Sequence, residues 1–354
     1  MAARANTLKS SHESRVFGTF GIYRYLLALI VMIAHTGPTD WQHIGSYSVF
    51  PFFILSGYVV SYIFHNSYLP LRNGLWKYAI NRALRIYPAY WFTFIVLLWL
   101  GTLHTSLAAY PSQADTLSDV VWWSTNILAL TAALPVKLAP ITPLVPVAWS
   151  LCNEIIYWAL IPFLLMHRRI QWLVLALGAC YTLLPLIWML INQTDLVYWR
   201  YFSPLAACFP FCMGMMIFLT RQRYDIVISH TLGRCAICIF LILIIDAPLL
   251  LSKPVFYGFY LMIVLNTVII AYLSQIDQRK IPNPLQKMDS FFGGIAYPLF
   301  LIHFPALFFM RIFFPLLNNL EIFGCTFLLA HFLAALMHYS IDAPVNRLRI
   351  RLKV

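Results

Sequence analysis

The strongest constraint on this chain is a series of apolar runs, each close to the roughly 20 residues a helix needs to cross a bilayer. The first reads FGTFGIYRYLLALIVMIAH, residues 17–35, and comparable runs follow to the C-terminus. Only 10% of the 354 residues are charged, 61% are hydrophobic, and the mean hydropathy is +0.77. Soluble domains do not carry this much unbroken apolar sequence. In hydrocarbon every backbone N–H and C=O must be satisfied within a helix or a closed barrel, and continuous runs rather than alternating residues select helices. The expected fold class is all-α: a polytopic transmembrane helical bundle forming one membrane domain, with no soluble domain.

Spans are expected at about 17–35, 44–64, 87–105, 149–166, 171–192, 201–220, 231–250, 254–273, 291–317 and 321–341. The first is too long for a signal-peptide core, holds Arg24, and is followed by HTGPTDW rather than a small-residue cleavage site. Segment 119–134 is short and precedes a proline-rich stretch (Pro135, Pro140, Pro143, Pro146). Charge decides whether it crosses. If it does not, there are about ten spans with both termini cytoplasmic, and 19 of the 24 Lys and Arg residues lie on the cytoplasmic side. The outer face then keeps Lys137, Arg200, Lys253 and Arg311, and Arg24 lies within the bilayer. If it does cross, the later Arg-rich loops face outward, against the positive-inside bias. Segment 119–134 is therefore expected to be a re-entrant or surface helix on the outer side. Residues 1–16 read as a loose, basic cytoplasmic segment, 17–345 as the membrane domain and 346–354 as a basic cytoplasmic tail. No internal repeat is visible, which disfavours an inverted-repeat transporter.

The net charge of +12 sits beside span ends, so it reads as membrane anchoring rather than nucleic-acid binding. All seven cysteines fall in apolar stretches. Cys235 and Cys238 form a CxxC inside a span with no second pair, which reads as packing rather than a metal site.

Polar residues inside the spans are the candidates for chemistry. Arg24 and His35 are eleven residues apart, about three helical turns, so they share one face at depths roughly 16 Å apart. Arg82 and Arg85 are i, i+3 neighbours in the basic segment after the second span. Paired guanidiniums suit phosphate; simple membrane anchoring is the alternative. Glu154 is a carboxylate near the start of a span, expected at the depth of His35, where it could orient the imidazole for proton transfer. A structural pairing with an arginine is its alternative role. Ser150 and Tyr157 are expected on the Glu154 face. Tyr297 and His303 follow Gly293-Gly294, a pair that permits close helix contact, and His303 alone reads as a satisfied core residue. Ser56-Gly57 reads as a packing point, Asp40 as polar support in the first outer loop, and Pro344 as the stop of the last span.

Taken in order, these stretches resemble the acyltransferase-3 family of polytopic membrane acyltransferases. Arg24 and His35 match its Arg-x10-His signature; FFILSGY, NRALRIYPAYW, VAWSLCNEIIY, AYPLFLIHFP and IDAP resemble its later motifs. Gly21-Ile22-Tyr23 stands where the family often has Asp-Gly-Leu, Ala296 replaces a usual Ser, and Asp342 a usual Glu. The family often adds a C-terminal SGNH-type domain; none lies within these residues, so the membrane domain or a separate partner is expected to complete the transfer. The resemblance implies a bacterial inner-membrane enzyme that moves an acetyl group from cytoplasmic acetyl-CoA to a hydroxyl of a cell-surface glycan, such as lipopolysaccharide O-antigen, free or lipid-linked. It implies no tightly bound cofactor or metal. It puts Arg82, Arg85 and Arg24 on the donor phosphates and His35 as general base or transient acyl acceptor, with Glu154 supporting the imidazolium. It makes Tyr297 a candidate for oxyanion stabilisation. Two other readings stay open: a transporter or flippase for a glycan or lipid-linked precursor, and the same transfer with a larger acyl group such as succinyl.

Overall fold

The computed structural model describes residues 20–103, 116–131, 143–192, 194, 196–224, 226–246, 254–277 and 280–352. The expected segment 1–16, Lys137 and Lys253 lie outside the described residues, as does the side chain of Asp40. Among the described residues the fold is entirely helical, with twelve α-helices. They are α1 (Phe20–Thr36), α2 (Ser46–Ile63), α3 (Gly74–Leu103), α4 (Thr116–Ile127), α5 (Ala148–Met166), α6 (Arg168–Asn192), α7 (Pro204–Arg223), α8 (His230–Asp246), α9 (Pro254–Leu273), α10 (Asn283–Phe313), α11 (Asn319–Met337) and α12 (Ala343–Arg351). Seven helical runs are long and apolar enough to cross a membrane, and three shorter apolar helices lie at Phe20–Thr36, His230–Ile245 and Gly258–Leu273. Together they fall on the ten expected spans.

Local sequence explains several helix ends. Ser203 accepts a hydrogen bond from the Leu205 amide with Pro204 in the first turn, and α7 begins there. Asn318 and Glu321 form a reciprocal capping box at the start of α11. Two ends differ from expectation. The third helix begins earlier than the span expected at 87: it starts at Gly74, takes in the basic segment and runs through Pro88 without a break. Pro344 does not stop the last span. A π-helical turn at His338–Asp342 resets the hydrogen-bond register, and Pro344 falls in the first turn of α12, where its missing N–H is not needed.

Buriedness sorts the helices. The apolar window of α2 is 83% buried and that of α6 only 11%, so α2 is central and α6 faces outward. Large exposed apolar side chains along α6 and α11, such as Leu177, Leu184, Ile191, Leu328 and Phe332, form a surface suited to lipid. The two closest crossings are made by glycine. A Cβ on Gly214 of α7 would come within 1.9 Å of the Ile54 carbonyl of α2, and one on Gly293 of α10 within 2.7 Å of the Gly21 Cα of α1.

α1 and α10 run parallel in constant register. The Asp289 carboxylate accepts from the Gly21 amide at 3.1 Å, and fourteen residues further along His35 meets His303 at 3.1 Å; both pairs are 268 residues apart in sequence. The register therefore holds over about 21 Å of helix.

α4 is twelve residues long, too short to cross, and it descends along α3. Trp123 packs on Phe94 with ring centroids 6.3 Å apart, and the α4 C-terminal carbonyls accept from Tyr87, Tyr90 and Trp91. The Leu144 amide then donates to Asn126 at 2.8 Å. The chain thus returns to the foot of α4 before α5 starts, so α5 begins deep along α3.

Candidate active site

A cavity of about 450 Å³ lies between α1, α2, α3, α5, α10 and α12. On α10 its lining runs from Ser290 to Phe300, about 15 Å of helix. One end is polar, with Arg24, Arg82, Arg85 and Arg349 around Glu154. The other end is apolar, closed by Val49, Phe52, Phe53 and Phe300.

At the polar end each guanidinium is held differently. Arg85 pairs with Asp342 at 3.3 Å and lies over the Tyr297 ring, 4.9 Å from its centroid. Arg82 is buried, lies over Trp158 at 5.2 Å and donates to Asn81 Oδ1 at 3.0 Å. Arg24 enters from α1 and faces Glu154, and Asp289 stands on the side where α1 begins. Glu154 lies within electrostatic reach of Arg24, Arg82 and Arg85, beside the Ser56 hydroxyl. Ser56 in turn accepts from the Trp158 indole at 2.8 Å, which ties the FFILSGY stretch of α2 to α5. An Arg-rich pocket containing one balancing carboxylate can receive a polyanion bidentately.

Beyond the apolar end lies an imidazole pair. His35 and His303 approach at 3.1 Å between Nδ1 and Nε2, with ring planes 2° apart. Phe304 packs on both rings, at 4.7 and 4.6 Å between centroids. His303 is fully buried, and its Nδ1 lies 3.2 Å from the Leu299 carbonyl. A carbonyl only accepts, so Nδ1 of His303 carries the proton and its Nε2 offers a lone pair. With that lone pair accepting from Nδ1–H of His35, the free lone pair of His35 is on Nε2. His35 is exposed at the end of α1, so an imidazole of defined tautomer stands at the surface there. The cavity stops one helical turn short of this pair. Phe300 bridges the gap, with its ring centroid 6.4 Å from His303 and 5.9 Å from Phe52.

The expected residues do not all converge. Arg24, Arg82, Arg85, Glu154, Ser150 and Tyr297 line the cavity together. Glu154 is not at the depth of His35. Because α4 brings the chain inward before α5 starts, the carboxylate lies among the arginines, and His303 takes the place beside His35. Tyr157 turns away from Glu154: its hydroxyl donates to the Pro204 carbonyl at 2.8 Å and its ring stacks on Phe211 of α7. Tyr297 donates to the Ile86 carbonyl at 3.0 Å beneath Arg85, so its hydroxyl belongs to the arginine end and not to the imidazoles. His303 is buried as expected, and its ring nitrogens are met by the Leu299 carbonyl and by His35. Beside Gly21-Ile22-Tyr23 stands the Asp289 carboxylate, which accepts from the Gly21 and Ile22 amides. Asp289, His338, Arg349 and Asn81 were not singled out by the sequence reading; only basic-tail composition marked Arg349.

A family model described as an acyltransferase domain, acyltransferase-3, matches residues 20–339. The chain belongs to the acyltransferase-3 family. This acyltransferase carries its family match across α1 to α11, so the imidazole pair and all of the cavity lining except Asn346 and Arg349 of α12 fall within it. Searches of curated proteins and of solved structures return no significant match. With its long apolar helices, the acyltransferase is a multi-pass membrane protein.

Proposed function

We propose that this acyltransferase is an O-acetyltransferase of the bacterial inner membrane. It moves an acetyl group from cytoplasmic acetyl-CoA to a hydroxyl of a cell-surface glycan, lipopolysaccharide O-antigen, presented free or on a lipid carrier. The observation that carries the reading is the cavity itself: guanidiniums at one end, and at the other an apolar stretch that stops one turn short of an exposed imidazole of fixed tautomer.

In this reading Arg82, Arg85 and Arg24 hold the donor phosphates, and Glu154 keeps the guanidiniums spaced when the site is empty. The acyl-pantetheine arm lies along Ile86, Phe53 and Phe52 and reaches past Phe300. Nε2 of His35 accepts the proton of the glycan hydroxyl as its oxygen attacks the thioester carbonyl. The new C–O bond forms, the C–S bond breaks, and the proton passes from His35 to the departing thiolate. His303 stays neutral and keeps Nε2 of His35 aimed at the hydroxyl. With ten spans and both termini cytoplasmic, the arginine end faces the acetyl-CoA pool and the imidazoles face the glycan.

The test uses protein in liposomes supplied with acetyl-CoA inside and O-antigen lipopolysaccharide outside. Acetyl transfer and CoA release are expected, both abolished in His35→Ala. Glycan movement without acyl transfer, surviving His35→Ala, would establish a transporter instead. Succinyl-CoA consumed in preference to acetyl-CoA would replace the donor but keep the chemistry.

A further inference from the structure

The C-terminal helix α12 is short and polar, and Arg349 lies beyond the residues that match the family model. Yet Arg349 reaches the cavity. Its Nη2 donates to Asn81 Oδ1 at 3.2 Å, the same oxygen that accepts from Arg82 at 3.0 Å. Its Nη1 donates to Asn346, and the Asn81 amide returns a bond to the Arg349 carbonyl at 3.4 Å. Two guanidiniums are thus drawn together by neutral side chains. The Nε–H groups of both Arg82 and Arg349 are buried without a hydrogen-bond partner in the protein. Arg85 differs, having Asp342 as its counter-charge. A buried, unsatisfied donor on a charged group is costly, and both side chains line the same cavity, so the pair suits an anion with several acceptor oxygens.

We infer that α12 is a working wall of the donor site, and that Arg349 and Arg82, bridged by Asn81, bind a phosphate group of the acyl donor separate from the one held at Arg85 and Arg24. This rests on the acyl-CoA reading and extends it, since that donor carries both a diphosphate and a ribose phosphate.

The experiment measures binding of CoA, 3′-dephospho-CoA and pantetheine to full-length protein in nanodiscs. The variants are Arg349→Gln, Arg349→Lys and, as a control on the exposed side of α12, Arg347→Gln. CoA affinity should fall at least tenfold in Arg349→Gln, recover in part in Arg349→Lys and stay unchanged in Arg347→Gln, with pantetheine binding unaffected throughout. Convergence of CoA and 3′-dephospho-CoA in Arg349→Gln assigns the ribose phosphate; a parallel fall assigns the diphosphate. Wild-type CoA affinity in Arg349→Gln overturns the inference, as does an equal loss of pantetheine, which would mark a purely structural role. Failure of the wild-type protein to bind CoA at all overturns the donor reading, and the inference with it.

Discussion

At the scale of single residues, the proposed transfer divides one task between two imidazoles. His35 presents the basic nitrogen, and His303, anchored to the Leu299 carbonyl, sets which nitrogen that is. Losing a general base typically costs about 10²–10⁴ in rate, and His35→Ala should fall in that range. His303→Phe should lower kcat by a smaller factor, leave the KM for acetyl-CoA unchanged and alter the pH–rate profile, because the His35 ring is then free to present either nitrogen. Wild-type kcat and pH profile in His303→Phe would remove the positioning role. Glu154 is a different kind of residue. It is the carboxylate facing Arg24, Arg82 and Arg85. Glu154→Gln leaves like charges unbalanced, so the melting temperature in detergent should fall. Saturating CoA should raise it more in the variant than in wild type, since phosphate then replaces the lost counter-charge. Equal CoA-induced shifts would count against an anion site there.

At the scale of elements, the pairing of α1 with α10 aligns both ends of the site. A Cβ at Gly293 meets the α1 backbone, which cannot give way as a side chain tip can. Gly293→Leu should therefore yield little folded protein by size-exclusion chromatography. Gly324→Leu, in α11 with open space around the site of the new Cβ, should behave as wild type. The same element explains what the sequence could and could not reveal. The helices and the ten apolar segments among them follow from apolar runs read within one segment, and both are present. The meeting of His35 with His303 depends on register between helices 268 residues apart, which no local pattern encodes. Glu154 was misplaced in depth because its position depends on α4 and the return to Asn126, where short apolar sequence does not say how far the chain dips. Arg349 carries the same composition signal as any cytoplasmic anchor, and only the continuation of the helix through Pro344 brings it inward.

At the scale of the whole molecule, the arrangement requires opposite sides of the membrane at the two ends of the cavity. In a cysteine-free background, a single cysteine at Lys137 should react with an impermeant maleimide from outside. One at Lys280 should react only after the membrane is opened. The reverse pattern, or labelling of both from one side, would discard the ten-span topology. Lipid contact falls to α6 and α11, whose exposed apolar faces are dispensable for the cavity, so conservative apolar changes there should leave transfer rates near wild type.

The partnership of α1 with α10 and α12 also has a consequence for biosynthesis. The helix that carries Arg24 and His35 leaves the ribosome before the segments that shield them, and His303 follows His35 by 268 residues. Until α10 and α12 have been made, Arg24 has neither Asp289 nor the full walls of the cavity around it. The site is therefore not inherited from any early folding unit. It comes into being only when α10 and α12 close back on α1.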